Sequence, residues 1–177
     1  QELQKNEVIL QITQKQDSIN AFVYQLPLTV LIGTKEGLLT EKIVLAQANQ
    51  RFSLKTTSMP TFVLIDPKGE LVGEIEHVKT EKELQEQYYT TTAIAGRLKA
   101  LEALTFVPQT DEEVFAENPL ANKDIRKLVL DATKDKFWGI RQRAVQRLYD
   151  YDGEDFLEVE KALQYVIKND AHSMVRA

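Results

Sequence analysis

The spacing of apolar residues changes once along this chain, close to Thr80. Before it, apolar and polar residues alternate. Val8, Leu10 and Ile12 share one face, and Phe22, Tyr24, Leu26, Leu28, Val30 and Ile32 form a longer stripe with Gln25, Pro27 and Thr29 opposite. Phe52 and Leu54 flank Ser53. Successive strand residues point to opposite faces, so this period of two predicts strands with one buried face. Phe62-Val63-Leu64-Ile65 is apolar on both faces and predicts a central strand. Asp66-Pro67-Lys68-Gly69 follows with turn chemistry, because Pro presets φ and Gly accepts positive φ. Leu71 to Ile75 is then expected to return as the hairpin partner. Gly33 to Gly37 and Ala48 to Gln50 mark further turns. Pro27 within a strand predicts an edge or a bulge.

After Thr80 the period becomes 3.6 residues. Thr80-Glu81-Lys82-Glu83 matches a capping box, in which the Thr hydroxyl and the Glu carboxylate satisfy each other's backbone N–H groups. It opens a helix carrying Leu84 and Tyr88. Ile94, Leu98, Leu101 and Leu104 fall on one helical face, and Phe106-Val107-Pro108 ends that helix. Asn118-Pro119 places an N-cap before Pro at the first helical position. Ile125, Leu128, Val129 and Ala132 form the next stripe, then Ile140, Ala144, Val145 and Leu148, then Phe156, Val159, Leu163, Val166 and Ile167. Helices joined by short polar connections suggest a stacked array.

A short phrase recurs within this helical part. Asp135-Lys-Phe-Trp-Gly-Ile140-Arg141-Gln-Arg-Ala144 returns as Asp170-Ala-His-Ser-Met-Val175-Arg176-Ala177. In both, an acid precedes a β-branched apolar residue by five positions and an Arg by six, and the two copies lie 35 residues apart. That period belongs to helical-pair repeats. Asp135 and Asp170 stand where a helix N-cap belongs. Arg141 and Arg176 follow a turn and a half later, and an Arg there is expected to reach the Asp of an adjacent repeat as one rung of a ladder aligning successive helices. Ala144 is small enough to let helices approach. Arg97-Leu98-Lys99-Ala100 carries the Arg-x-x-Ala part without the Asp. The plainer reading is chance recurrence of an amphipathic helix start. A repeat array that stops at the first turn of a repeating helix reads as a fragment, and Gln1 reads as a processed or truncated start.

Composition narrows the function classes. The 177 residues are 43% hydrophobic and 28% charged, ordinary for a soluble globular protein. A net charge of −5 argues against a nucleic-acid partner, which would favour a basic face. Cysteine is absent, so disulfides, thiolate zinc sites and cysteine nucleophiles are excluded, while the compartment stays open. No apolar run approaches the about 20 residues of a membrane span.

Reaction chemistry is hard to find. His77 and His172 are the only imidazoles. They fall in different expected domains, and neither sits in H-E-x-x-H, which sets two zinc ligands on one helical face. His77, beside Glu76 at a strand end, reads as solvated, and His172 takes the position that Phe137 holds in the other copy. No G-x-S-x-G elbow or phosphate-binding loop occurs. Asp111-Glu112-Glu113 and Gly153-Glu154-Asp155 are candidate acid/base pairs, but both sit at helix starts, where acids complement the macrodipole. Trp138, Tyr88, Tyr89, Tyr149 and Tyr151 are candidates to line a peptide-binding concavity; aromatics at helical spacing are more often core.

Two resemblances follow from these segments. Lys168-Asn169-Asp170-Ala171-His172-Ser173-Met174-Val175-Arg176-Ala177 resembles the loop-to-second-helix phrase of HEAT-like repeats, a likeness covering roughly residues 120 to 177. The whole chain resembles the C-terminal, non-catalytic part of zinc aminopeptidases of the aminopeptidase N family. The segments carrying this are Phe22-Val23-Tyr24-Gln25-Leu26-Pro27-Leu28-Thr29-Val30, Arg51-Phe52-Ser53-Leu54, Thr61-Phe62-Val63-Leu64-Ile65-Asp66-Pro67-Lys68-Gly69-Glu70-Leu71-Val72 and Arg97-Leu98-Lys99-Ala100-Leu101-Glu102-Ala103-Leu104. Val72 stands where the family's V-L-I-D-P-x-x-x-L-L segment ends in Leu.

The resemblance implies a two-domain, all-β plus all-α chain: an antiparallel β-sandwich linking domain over residues 1–80, then a HEAT-like helical domain over 81–177, truncated at its C-terminus. It implies a parent that is a zinc aminopeptidase, with zinc in the parent and no cofactor, metal or catalytic residue in this part. The expected partners are the parent's own catalytic domain and its peptide substrate. The expected task is to brace that domain and wall the peptide chamber. The alternative is a HEAT-like protein–protein interaction scaffold whose parent has no peptidase activity. A small enzyme of unfamiliar type is the remaining reading, and no nucleophile, base and oxyanion donor converge to support it.

Overall fold

The computed structural model describes residues 2–4, 6–16, 22–107, 118–149, 151–153 and 155–177. The chain divides into two compact units, residues 1–96 and 97–177.

The first unit holds two three-stranded antiparallel sheets. One is ordered β1 (Glu2–Gln4), β2 (Glu7–Thr13), β5 (Asn49–Lys55). The other is ordered β4 (Gly37–Leu45), β3 (Leu26–Thr34), β6 (Pro60–Ile65). One core draws on both: Val8, Leu10 and Leu54 from the first sheet meet Leu28, Val30, Ile32, Ile43, Leu45, Val63 and Ile65 from the second. Each such side chain contributes about 1.5–3 kcal/mol when fully withdrawn from water.

Three strand expectations need correction. β6 is apolar on both faces, yet it is an outer strand. Val63 and Ile65 enter the shared core, while Phe62 and Leu64 join Leu31 on the opposite face, where helix α1 (Glu81–Thr90) packs against β6. A covering helix, rather than a second neighbouring strand, accounts for the pattern. Pro27 lies in the central strand β3, but in a stretch that pairs with β4 alone, since pairing to β6 begins at Val30. The ring therefore removes no N–H from a doubly paired segment. Leu71 to Ile75 forms no strand. The Asp66 carboxylate takes the Glu70 N–H at 2.9 Å and the Leu71 N–H at 3.0 Å, so one side chain holds two successive donors in a local turn after β6. Leu71 and Ile75 still pack on the core.

Helix α1 begins where the sequence predicts. Thr80 caps it, and Glu83 returns the hydrogen bond to the Thr80 N–H at 2.9 Å. Because α1 belongs to the sheet-bearing unit, the described residues form two small antiparallel sheets plus six helices, and not an all-β half followed by an all-α half. The division falls after Gly96, later than the expected 80/81 boundary.

The second unit contains most of α2 (Ile94–Leu104), a 3₁₀ turn at Pro119–Ala121, α3 (Lys123–Ala132), α4 (Trp138–Tyr149), α5 (Phe156–Asn169) and the short α6 (Ser173–Arg176). Asn118-Pro119 opens the 3₁₀ turn, not the helix; Asn122 caps α3 through the Asp124 N–H at 2.9 Å. The apolar stripes converge: Leu101, Leu128, Val129, Ile140, Ala144, Leu148 and Val159 are all fully buried. Among the described residues, no helix is long and apolar enough to cross a membrane.

Candidate functional site

A dense polar constellation lies in the second unit, at the turns leading into α4 and α6. Asp135 accepts the Phe137 N–H at 2.8 Å, and Asp170 accepts the His172 N–H at 2.8 Å. Each Asp thus ties the turn just ahead of its helix; His172, not Asp170, is the N-cap of α6. The Arg six residues on closes the same turn from the other side. Arg141 Nη1 donates to the carbonyls of Asp135 (2.9 Å) and Lys136 (3.2 Å), and Arg176 Nη1 donates to the carbonyl of Asp170.

An Arg from earlier in the chain then meets each carboxylate. Arg97 Nη2 lies 3.1 Å from Asp135 Oδ1. Arg141 binds Asp170 with both edges of its fork, Nε to Oδ2 at 2.6 Å and Nη2 to Oδ1 at 2.9 Å. Bidentate geometry and charge make this the strongest class of side-chain hydrogen bond. The Asp170 side chain is 6% exposed. The Arg141 hydrogen bonds, supported by the His172 N–H, outweigh burial and hold its carboxyl down to about 2. Asp135, Arg141, Asp170 and Arg176 are therefore linked by contacts between neighbouring turns. Arg97, the weaker candidate in sequence, supplies the pair to Asp135.

Sequence reasoning missed Arg126. It is 4% exposed on the core-facing side of α3, donates to the Leu120 carbonyl at 2.8 Å and to Asp155 Oδ2 at 2.6 Å, and stacks its guanidinium 5.4 Å from the Tyr151 ring centre. Its signal was an Arg set inside the Ile125–Leu128–Val129 stripe. Asp155 takes φ 63° and makes no cap bond of its own, since its carboxylate is turned to Arg126.

The other candidates do not assemble a site. Asp111-Glu112-Glu113 and Glu154 lie outside the described residues. Tyr88 and Tyr89 pair edge to face in the first unit, Tyr151 is buried under Arg126, and Tyr149 stands in solvent. Trp138 stacks flat on His172, ring centres 4.1 Å apart and planes 2° from parallel. His77 is half-buried, less solvated than expected. It borders a cavity of about 580 Å³ at one end of the shared core, floored by Leu10, Ile12, Leu26, Leu45 and Ile75. Burial, then the neighbouring Lys79 charge, pushes its pKa down to about 4.

These residues do not fit zinc. The two imidazoles belong to different units, and among the described residues no three His, Asp or Glu side chains gather as a ligand set. No step of metal chemistry can be routed through them.

No family model matches the chain, and no curated protein matches it. Among solved structures it is similar in fold to Legionella pneumophila aminopeptidase A, crystallised in complex with aspartic acid, with a TM-score of 0.52 and 12% identity. The match takes in 93% of this chain and 21% of that one, so the chain spans about a fifth of the aminopeptidase's length and shares an aminopeptidase-like fold over that part.

Proposed function

We propose that this chain is a non-catalytic structural part of an aminopeptidase-like protein of the aminopeptidase N type. Residues 1–80 act as a linking β-sandwich with α1 as its buttress, and the helices that follow act as HEAT-like repeats. The single observation that carries this reading is the fold match to about a fifth of an aminopeptidase, across nearly all of this chain. The family segments from Phe22 to Val30 and from Thr61 to Val72 overlap β3 and β6, two paired strands of one sheet, at their Leu26–Val30 and Thr61–Ile65 parts.

On this reading the sandwich and helices brace the parent's catalytic domain and wall its peptide chamber. Zinc and the chemical step belong to the parent's catalytic domain. Within the helical part, Arg97–Asp135 and Arg141–Asp170 act as rungs of a ladder that fixes how one helix pair follows the next. The test is to read the encoded protein on both sides of this segment and to assay the purified chain. An upstream H-E-x-x-H with a distant helical Glu, and no peptide hydrolysis by the chain alone, is the expected result. Chelator-sensitive hydrolysis by the pure chain would overturn it. An aminopeptidase-like parent lacking those ligands would turn the reading to an interaction scaffold.

A further inference from the structure

The core between the two sheets is closed unevenly. Six apolar residues pack against it only partly buried, and four of them, Ile12, Leu26, Leu71 and Ile75, line the cavity that His77 borders. Leu71 and Ile75 come from the stretch after β6, which crosses this end of the core without joining either sheet. Side chains there have no strand neighbour beside them, and about 580 Å³ is left unfilled. That volume lies within the roughly 300–1,000 Å³ of small-molecule sites. Water held against aliphatic walls is released at a gain when an apolar body takes its place.

The charged groups around this cavity do not cancel. Lys15 is the one Lys or Arg that lines it, and its Nζ is paired with the Glu76 carboxylate, both side chains standing largely in solvent at the rim. Glu74 lines the cavity too, and among the described residues it forms no ion pair. His77 adds no positive charge at neutral pH, because burial, then the Lys79 charge, holds its pKa down at about 4. Lys79 itself does not line the cavity, and its Nζ donates to the Gln87 side chain. With Lys15 and Glu76 offsetting each other, one carboxylate remains beside an aliphatic pocket. That arrangement is complementary to an apolar body carrying one positive charge.

We propose that this cavity binds a small primary amine with an alkyl or aryl body, the body seated among Leu26, Leu45 and Ile75 and the ammonium beside Glu74. All of these residues belong to the first unit. The site does not rest on the aminopeptidase-like reading of the preceding subsection.

The test follows the histidine ring signals of the full chain by NMR. His77 lines the cavity, and His172, the only other histidine, lies in the second unit and serves as the internal control. Octylammonium, octanol and octanoate share one tail and are titrated at neutral pH, below the concentrations at which they form micelles. The expected result is a saturable shift of the His77 signals by octylammonium with His172 unmoved. Octanol is expected to bind about threefold more weakly, the scale of a partly exposed ion pair, and octanoate more weakly still. E74Q should bring octylammonium down to the octanol affinity and leave octanol unchanged. I75W, which fills the cavity, should remove the His77 response to all three while the sheet circular dichroism is kept; if that variant does not fold, E74Q decides. The proposal is overturned by a native chain whose His77 shows no saturable response, or whose two histidines move together. It is equally overturned by octanoate binding as tightly as octylammonium, or by an E74Q chain that still prefers the ammonium. The assay involves neither peptide nor zinc, so its failure leaves the aminopeptidase-like reading standing.

Discussion

Asp170 accepts three hydrogen bonds, two from Arg141 and one from the His172 N–H. Asp170→Asn removes the charge but keeps the shape, leaving a largely buried guanidinium without its counter-ion. We expect a loss of about 2–3 kcal/mol in the stability of the second unit, read by denaturant titration. Because the folded carboxyl is held near 2, below its ordinary 3.8, its contribution is complete above pH 3.8 and is lost as pH falls towards 2. His77 has the same sign in a different window. Its folded pKa of about 4 lies below the ordinary 6.5, so the unfolded chain binds the proton first. Stability of the first unit should be full above pH 6.5 and fall as pH drops towards 4. H77L should flatten that slope; an unchanged slope between pH 6.5 and 4 would show that other groups set it. The sequence displayed the Asp135 and Asp170 turns because one phrase repeats. It hid the burial of His77, because Leu71 to Ile75 crosses the end of the core without being a strand.

At the level of elements, boundaries set by local chemistry were legible and partners set by packing were not. The Thr80 cap, the turn between β3 and β4 and the helical stripes all announce themselves through neighbours in sequence. β4 was not foreseen as a strand. Its exposed Glu41 and Lys42 interrupt the alternation; Ile43 and Leu45 are buried in the core, with Leu39 packed against it. β6 was misread as central because periodicity cannot distinguish a covering helix from a neighbouring sheet strand. A tight fit between two strands is also invisible in sequence. A Cβ added at Gly33 would fall 2.1 Å from the Phe62 ring, so Phe62 fills the space that Gly33 leaves empty across the β3–β6 pair. Gly33→Ala should therefore cost about 1–3 kcal/mol through overpacking. Adding Phe62→Leu should recover part of that loss in a double-mutant cycle, whereas simple additivity would place the strain elsewhere.

At the level of the whole molecule, the resemblance read from sequence and the structural match meet at an aminopeptidase-like fold, reached through different means. The segments around Leu26-Pro27-Leu28 and Leu64-Ile65-Asp66 carry the first; the backbone path carries the second. The Arg126–Asp155 pair and the covering of β6 by α1 lay beyond sequence reading, because each joins residues whose meeting is fixed only by the folded core. One property of the first unit reaches past its native structure. β2 finds its partner in β5, pairing Glu7 with Lys55 across the whole intervening β3–β4 hairpin, whereas α3 and α4 are neighbours in sequence. Long loops must close before such a sheet gains anything, so the two units should acquire structure at different speeds. Trp138 is the only tryptophan and lies in the helical unit, so its fluorescence reports that unit alone. Refolding should show a fast fluorescence change followed by a slower rise in sheet circular dichroism. A newly made chain would then pass through a stage with formed helices and incomplete β2–β5 pairing, during which β2 exposes strand edges open to intermolecular association.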